Sequence, residues 1–188
     1  MENNKNIVEE IRKFVEEECN KHPLGNEILG NHFVPMRNYA VDLAKQKNAD
    51  LAVVEIAAWL HDIGSIICGR KDHHLTGVEI AEKKLRELNC SEDKIEKVKK
   101  CILNHRGSID NKRESVEEQI IAEADCMPFF DNLEGYFLWV IDEDKIKNQK
   151  KIKESVKQKL QNKYNQLSPE GKKIVQLKYD AAMLLFGD

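Results

Sequence analysis

The sequence predicts an all-α fold, a single-domain bundle of about eight or nine helices, from three observations. Apolar residues recur at three- and four-residue steps along nearly the whole chain. No stretch alternates with period two for long enough to make a strand. Pro, Gly and capping residues punctuate the periodic segments, as at His22-Pro23-Leu24-Gly25 and Ser168-Pro169.

Ile7, Val8, Ile11, Phe14, Val15 and Cys19, with Glu and Lys between them, predict an amphipathic first helix that ends near His22-Pro23. His22 precedes a Pro at that boundary and reads as an exposed loop residue. Phe33, Met36, Tyr39, Ala40, Leu43 and Ala44 predict the second helix. Pro35 fits only a first turn, so this helix should begin at about His32. The third, from about Asp50 to Ile63, is the most apolar in the chain and should be central; Gly64 is the residue expected to close it. A loop with Cys68, Gly69, Arg70, Lys71 and Asp72 leads to a fourth helix that opens on His73-His74 and carries Val78, Ala81, Leu85 and Leu88. Ser91 opens the fifth, whose stripe Ile95, Val98, Cys101, Ile102 ends at His105.

Asn104-His105-Arg106-Gly107-Ser108 ends the fifth helix, and a polar loop from Ile109 to Arg113 follows. Val116 to Met127 is predicted as the sixth helix, with Asp125 on the otherwise apolar face of Ile120, Ile121 and Ala124. After Pro128, a seventh takes in Phe129, Phe130, Leu133, Phe137, Leu138 and Ile141. The eighth is highly charged (Ile146, Ile152, Val156, Leu160, Tyr164) and suits a surface or a contact in a homodimer. Ser168 and Pro169 start the last, with Ile174, Leu177, Ala181, Leu184 and Leu185 as its apolar stripe.

The 188 residues are 41% hydrophobic, enough for a core and against disorder. Thirty Lys and Arg against thirty-three Asp and Glu give a net charge of −3, with no basic block to track a polynucleotide, so no nucleic-acid polymer is expected as partner. The N-terminal residues lack the apolar core of a signal peptide, and no charge-free run is long enough for a bilayer; a soluble, cytoplasmic protein is expected. Five cysteines, widely spaced and without a Cys-x-x-Cys pair, read as reduced thiols, most of them in the core.

One constellation stands out: His32, His61-Asp62, His73 or His74, His105 and Asp125. All but the adjacent pairs come from different helices or helix ends, so tertiary packing must bring them together. Buried imidazoles and carboxylates need partners, and a cation satisfies several at once. A donor set without thiolate suits Fe, Mn, Co, Zn or Mg. Arg106, Arg70 and Lys71 lie in loops beside these residues and are candidates for neutralising phosphate oxygens.

The order His, then His-Asp followed by Ile-Gly, then a distal Asp resembles the HD superfamily of metal-dependent phosphohydrolases, over roughly Asn31 to Asp131. The resemblance implies an all-helical HD domain over residues 1–188, with a motif-bearing core of about 31–131 and C-terminal helices 132–188 packed on it. It implies His32, His61, Asp62 and Asp125 as ligands of a divalent metal. His73, or His74 beside it, and His105 would hold a second ion, with Asp62 bridging the two. Pro35 stands where the family usually has Arg. No Glu-Asp pair follows His61-Asp62 as in guanosine tetraphosphate hydrolases, and no Gly-Tyr-Pro follows the later histidines as in cyclic-dinucleotide phosphodiesterases. The chain is most similar to small, stand-alone HD-Ile-Gly proteins and to two-metal dinucleoside tetraphosphate hydrolases.

The implied chemistry is cleavage of a nucleotide or other small phosphate ester by hydroxide formed at the metal, with Asp62 placed to hold the ions and accept the water's proton. Two other readings share the scaffold: a non-catalytic metal- or nucleotide-binding sensor, and a di-iron oxygenase.

Overall fold

The structure is a computed structural model that describes residues 2–106, 112–145 and 148–186. Gly107, Ser108 and Ile109 of the predicted loop, and Ile146 of the eighth predicted helix, lie outside the described residues. The chain is all-α as predicted: the described residues hold no strand, and they form nine longer α-helices and two short ones. Two compact units divide it, Met1–Asp125 and Cys126–Asp188.

In the first unit, α1 (Glu2–Lys21) runs to a turn at His22, where the backbone N–H of Leu24 donates to the imidazole Nδ1. A short α2 (Gly25–Ile28) and a π-helical turn (Leu29–Phe33) then lead without a break into α3 (Val34–Lys47). His32 was expected at a helix start and instead sits inside this wide turn. The widening has a physical cause, since Pro35 has no N–H to give and its ring crowds the carbonyl one turn back.

Asp50 caps α4 (Leu51–Leu60) by accepting from the N–H groups of Ala52 and Val53. Val53, Val54, Ile56, Ala57, Ala58, Trp59 and Leu60 are all buried, and α4 packs against α1, α3 and α7 (Glu92–Asn104), which makes it the central helix of the unit. Each fully buried Val, Leu or Ile contributes about 1.5–3 kcal/mol. The Leu51–Cys68 stretch is apolar enough by composition to cross a membrane, but more than half of it is buried inside the protein and the helix breaks within it.

That break corrects the expectation of one helix to Ile63. α4 stops at Leu60, and a separate α5 (Ile63–Cys68) follows the His61-Asp62 turn. Gly64 lies inside α5 and closes nothing. A Cβ there would stand 2.2 Å from the carbonyl oxygen of His73 and 2.6 Å from the backbone N of Gly77. Glycine is needed because α5 and α6 (His73–Glu87) nearly touch at this point. α8 (Val116–Cys126) supplies the distal Asp125. Its first turn is bound to the cap of α4, through Glu117 and the N–H of Asp50. A buried Glu123 pairs with Lys47 of α3 at 3.0 Å.

The second unit holds a 3-10 turn (Pro128–Phe130), α9 (Leu133–Asp144), α10 (Gln149–Asn165) and α11 (Pro169–Phe186). Phe129 and Phe130 were expected in one helix with Leu133. They belong to the 3-10 turn, because Asn132 caps a fresh helix by accepting from the N–H of Gly135. The charged α10 buries Ile152, Val156 and Leu160 against its neighbours α9 and α11. The apolar stripe read on α11 is an exposed one, with Leu177 83% and Leu184 86% exposed. Val175, Ala182 and Phe186 form the core face instead, and Tyr179 stacks on Tyr164 at 3.8 Å.

Candidate metal centre

All six proposed donors lie in the first unit, and packing brings them together in two groups. His32, His61, Asp62 and Asp125 form one, and Asp62, His73 and His105 the other; within each group, one ligand atom per residue lies within 4.8 Å of all the rest. Asp62 belongs to both. Its Oδ2 is 3.7 Å from Nε2 of His32 and of His61, and its Oδ1 is 3.1 Å from Nε2 of His73 and 3.5 Å from Nε2 of His105. The carboxylate thus spans the groups with one oxygen each.

Local backbone geometry produces this sharing. His61 keeps helical angles (φ −54, ψ −40), while Asp62 leaves them (φ −109, ψ 13). The two consecutive side chains therefore share His32 as a neighbour, while Asp62 alone carries a second oxygen on to Nε2 of His73 and of His105. Nε2 of His61 meets Nε2 of His32 at 3.0 Å and Oδ1 of Asp125 at 3.6 Å, and His32 is 3.2 Å from the same Asp125 oxygen.

Three of the imidazoles are oriented the same way. Nδ1 of His61 is 2.8 Å from the carbonyl of Ala58, Nδ1 of His73 2.8 Å from that of Arg70, and Nδ1 of His105 2.6 Å from that of Ile102. A carbonyl only accepts, so each Nδ1 carries the hydrogen and each neutral ring keeps a lone pair on Nε2. Those lone pairs face one another or a carboxylate: Nε2 of His73 and of His105 are 3.3 Å apart. Such an arrangement repels itself unless a proton or a cation lies between the acceptors.

The electrostatics point the same way. Burial works against a charge on His61, but Asp62 and Asp125 outweigh it and raise the imidazole's affinity for a proton. Burial likewise opposes a charge on His73, and its bond to Asp62 overcomes it. Desolvation opposes a charge on Asp62 as well, yet His61, His105 and His73 hold its carboxyl well below the usual range. The pocket calls for positive charge between these groups, and a divalent ion meets that demand with one particle. The residues present fit a metal, with His32, His61, Asp62 and Asp125 able to hold one ion and Asp62, His73 and His105 a second.

His73 and His74 are told apart by their contacts. His73 joins Asp62 and His105, whereas Nδ1 of His74 lies 3.4 Å from a guanidinium nitrogen of Arg106, and burial and Arg106 lower its pKa. Of the predicted cationic residues, Arg106 is half-buried, while Arg70 and Lys71 are exposed. Arg70 acts through its carbonyl on His73. His22 is in neither group.

Glu118, Asn104 and Arg113 support the centre and were not singled out from the sequence. Glu118, 1% exposed, accepts from the side-chain amide of Asn104 at 2.6 Å. It also accepts from the N–H of Ser115, while the Ser115 hydroxyl accepts from the N–H of Glu118. Arg113 donates to the carbonyls of Asn104 and Arg106. Together they tie the end of α7, with His105, to the start of α8. The Ser115-x-x-Glu118 spacing is a capping box and was the available signal.

Comparison with known proteins agrees with this geometry. A family model described as HD domain matches residues 29–129, which span all six donors. No curated protein and no solved structure matches the chain. HD domains bind divalent metals and are typically metal-dependent hydrolases. With more than half of its length matched, and with the histidines and aspartates gathered at one centre, the chain belongs to the HD domain family.

Proposed function

We propose that this chain is a metal-dependent phosphohydrolase acting on a small phosphate ester, nucleotide-like in kind. The observation that carries the reading is the single Asp62 carboxylate divided between two groups of imidazoles whose unprotonated nitrogens face inward. His32, His61, Asp62 and Asp125 would hold one divalent ion, and Asp62, His73 and His105 a second. A bound divalent ion lowers the pKa of water from 15.7 to about 7 and polarises phosphoryl oxygens.

The chain's own residues do the rest. Ala58, Arg70 and Ile102 fix the three imidazoles through their carbonyls, so the donors need no rearrangement when substrate arrives. Asp62, one quarter exposed, is the carboxylate best placed to take a proton from an attacking water.

The test is phosphate release from a panel of nucleotides, dinucleotides and sugar phosphates, with Mn, Mg, Fe, Co and Zn added in turn to metal-stripped protein. His61→Ala protein serves as the contamination control. Turnover that requires both metal and His61 is expected. Turnover that persists in His61→Ala, or none with any metal, would overturn the reading, and iron content with oxygen uptake would then test the di-iron oxygenase.

A further inference from the structure

The His73–His105 contact has a neighbour one residue along on both helices. Nε2 of His73 meets Nε2 of His105, and Nδ1 of His74 meets a guanidinium nitrogen of Arg106 at 3.4 Å. A guanidinium cannot accept, so the bond makes Nδ1 of His74 the acceptor and leaves the hydrogen on its Nε2. His74 is 8% exposed, so its ring is a fixed platform and not a mobile surface group.

Arg106 is held from a second side as well, because Arg113 donates to its carbonyl at 3.2 Å. Among the described residues no carboxylate forms an ion pair with Arg106. This sets it apart from Arg12, Arg37 and Arg86, each of which is paired with a glutamate. A half-buried, braced guanidinium beside a metal-type donor set, with no carboxylate paired to it among the described residues, is suited to binding an anion. Planar guanidinium binds two oxygens of one phosphate side by side.

We propose that Arg106, positioned by His74, receives the terminal phosphoryl group of the substrate and selects phosphomonoesters over phosphodiesters. This rests on the phosphohydrolase reading and deepens it. Two divalent ions outweigh the two carboxylates of the centre, and Arg106 adds a further positive charge, which favours the dianion of a monoester over the monoanion of a diester. A terminal phosphate also offers the spare oxygens that a forked donor needs.

Binding without turnover tests this. Inorganic phosphate and dimethyl phosphate would be titrated calorimetrically into manganese-loaded wild type, Arg106→Gln, Arg106→Lys and His74→Phe, with manganese content measured for each. Arg106→Gln should weaken phosphate at least roughly tenfold with metal content kept, Arg106→Lys should recover part of the loss, and His74→Phe should fall between. Dimethyl phosphate should bind wild type at least roughly tenfold more weakly than phosphate, and indifferently to Arg106. Equal phosphate affinity in wild type and Arg106→Gln at equal metal content would overturn the proposal, even if hydrolysis persists. Arg106-dependent phosphate binding supports it, even if the substrate panel shows no turnover and the hydrolase reading falls.

Discussion

The two donor groups share Asp62 and differ in how they are held. The first gathers His32 from a π-helical turn, His61 from the end of α4 and Asp125 from α8, three segments far apart in sequence. His32 and Asp125 keep side-chain exposures of 16% and 17%, so this group is open to solvent on one side. The second takes His73 and His105 from the ends of α6 and α7, both buried and both fixed through Nδ1. Its position depends on the glycine contact between α5 and α6, and on the Glu118–Asn104 tie at the end of α7. The first group is thus set by a central helix and the second by close packing around it. Damage to packing should therefore reach the second group first.

The largest expected effect comes from the residue that the groups share. Asp62→Ala should empty both, measured as metal per chain by elemental analysis, and activity should go with it. The loss should exceed the roughly 10–100-fold that follows removal of an outer partner of a metal ligand. One ion retained in Asp62→Ala would show that the groups do not depend on the shared carboxylate.

A one-sided effect should follow from the second group. His73→Ala should lose one ion and keep the other, and Gly64→Ala should copy that loss without touching a ligand, because the new methyl must push His73 and Gly77 away. Such overpacking costs about 1–3 kcal/mol, read as a lowered Tm. Full metal content in Gly64→Ala would mean that the α5–α6 contact does not set the second group.

The smallest effect is on pH. In metal-free protein, the lowered Asp62 contributes stability above about pH 4 that is lost as pH falls through its folded pKa. The raised His61 and His73 contribute below about pH 6.5, and that share is lost as pH rises through their folded values. Metal-free Tm should peak between these limits, whereas the gain on adding metal should grow above them, where ions no longer compete with protons for Nε2. Melting curves across pH, with and without chelator, would check both trends. A metal gain that is flat with pH would break the link between the raised imidazoles and the ion sites.

Local chemistry made much of this visible in the residues. The apolar periodicity of α1, α3, α4, α6 and α7 marked the core faces, and Ser168-Pro169 marked the start of α11. His61-Asp62 stood out because two such side chains follow a helix body that must be buried. The failures came where neighbours decide. Ile174, Leu177, Leu184 and Leu185 share a period with a core stripe but are all exposed, and periodicity cannot tell which of two apolar faces will be covered. Gly64 looked like a helix stop, because the sequence does not show the helix lying against it.

The sequence by itself determined an all-helical chain, the donor types and their order, since helix period and side-chain chemistry are local properties. Tertiary structure gave each oxygen of Asp62 its own group, the bridging that the family resemblance implied, and it alone decided that His73 and not His74 joins the second and that Arg106 sits on His74 without an acidic partner among the described residues. Those outcomes turn on a break of helical angles at one residue and on the register between α6 and α7. Side chains more than thirty residues apart fix that register only by packing.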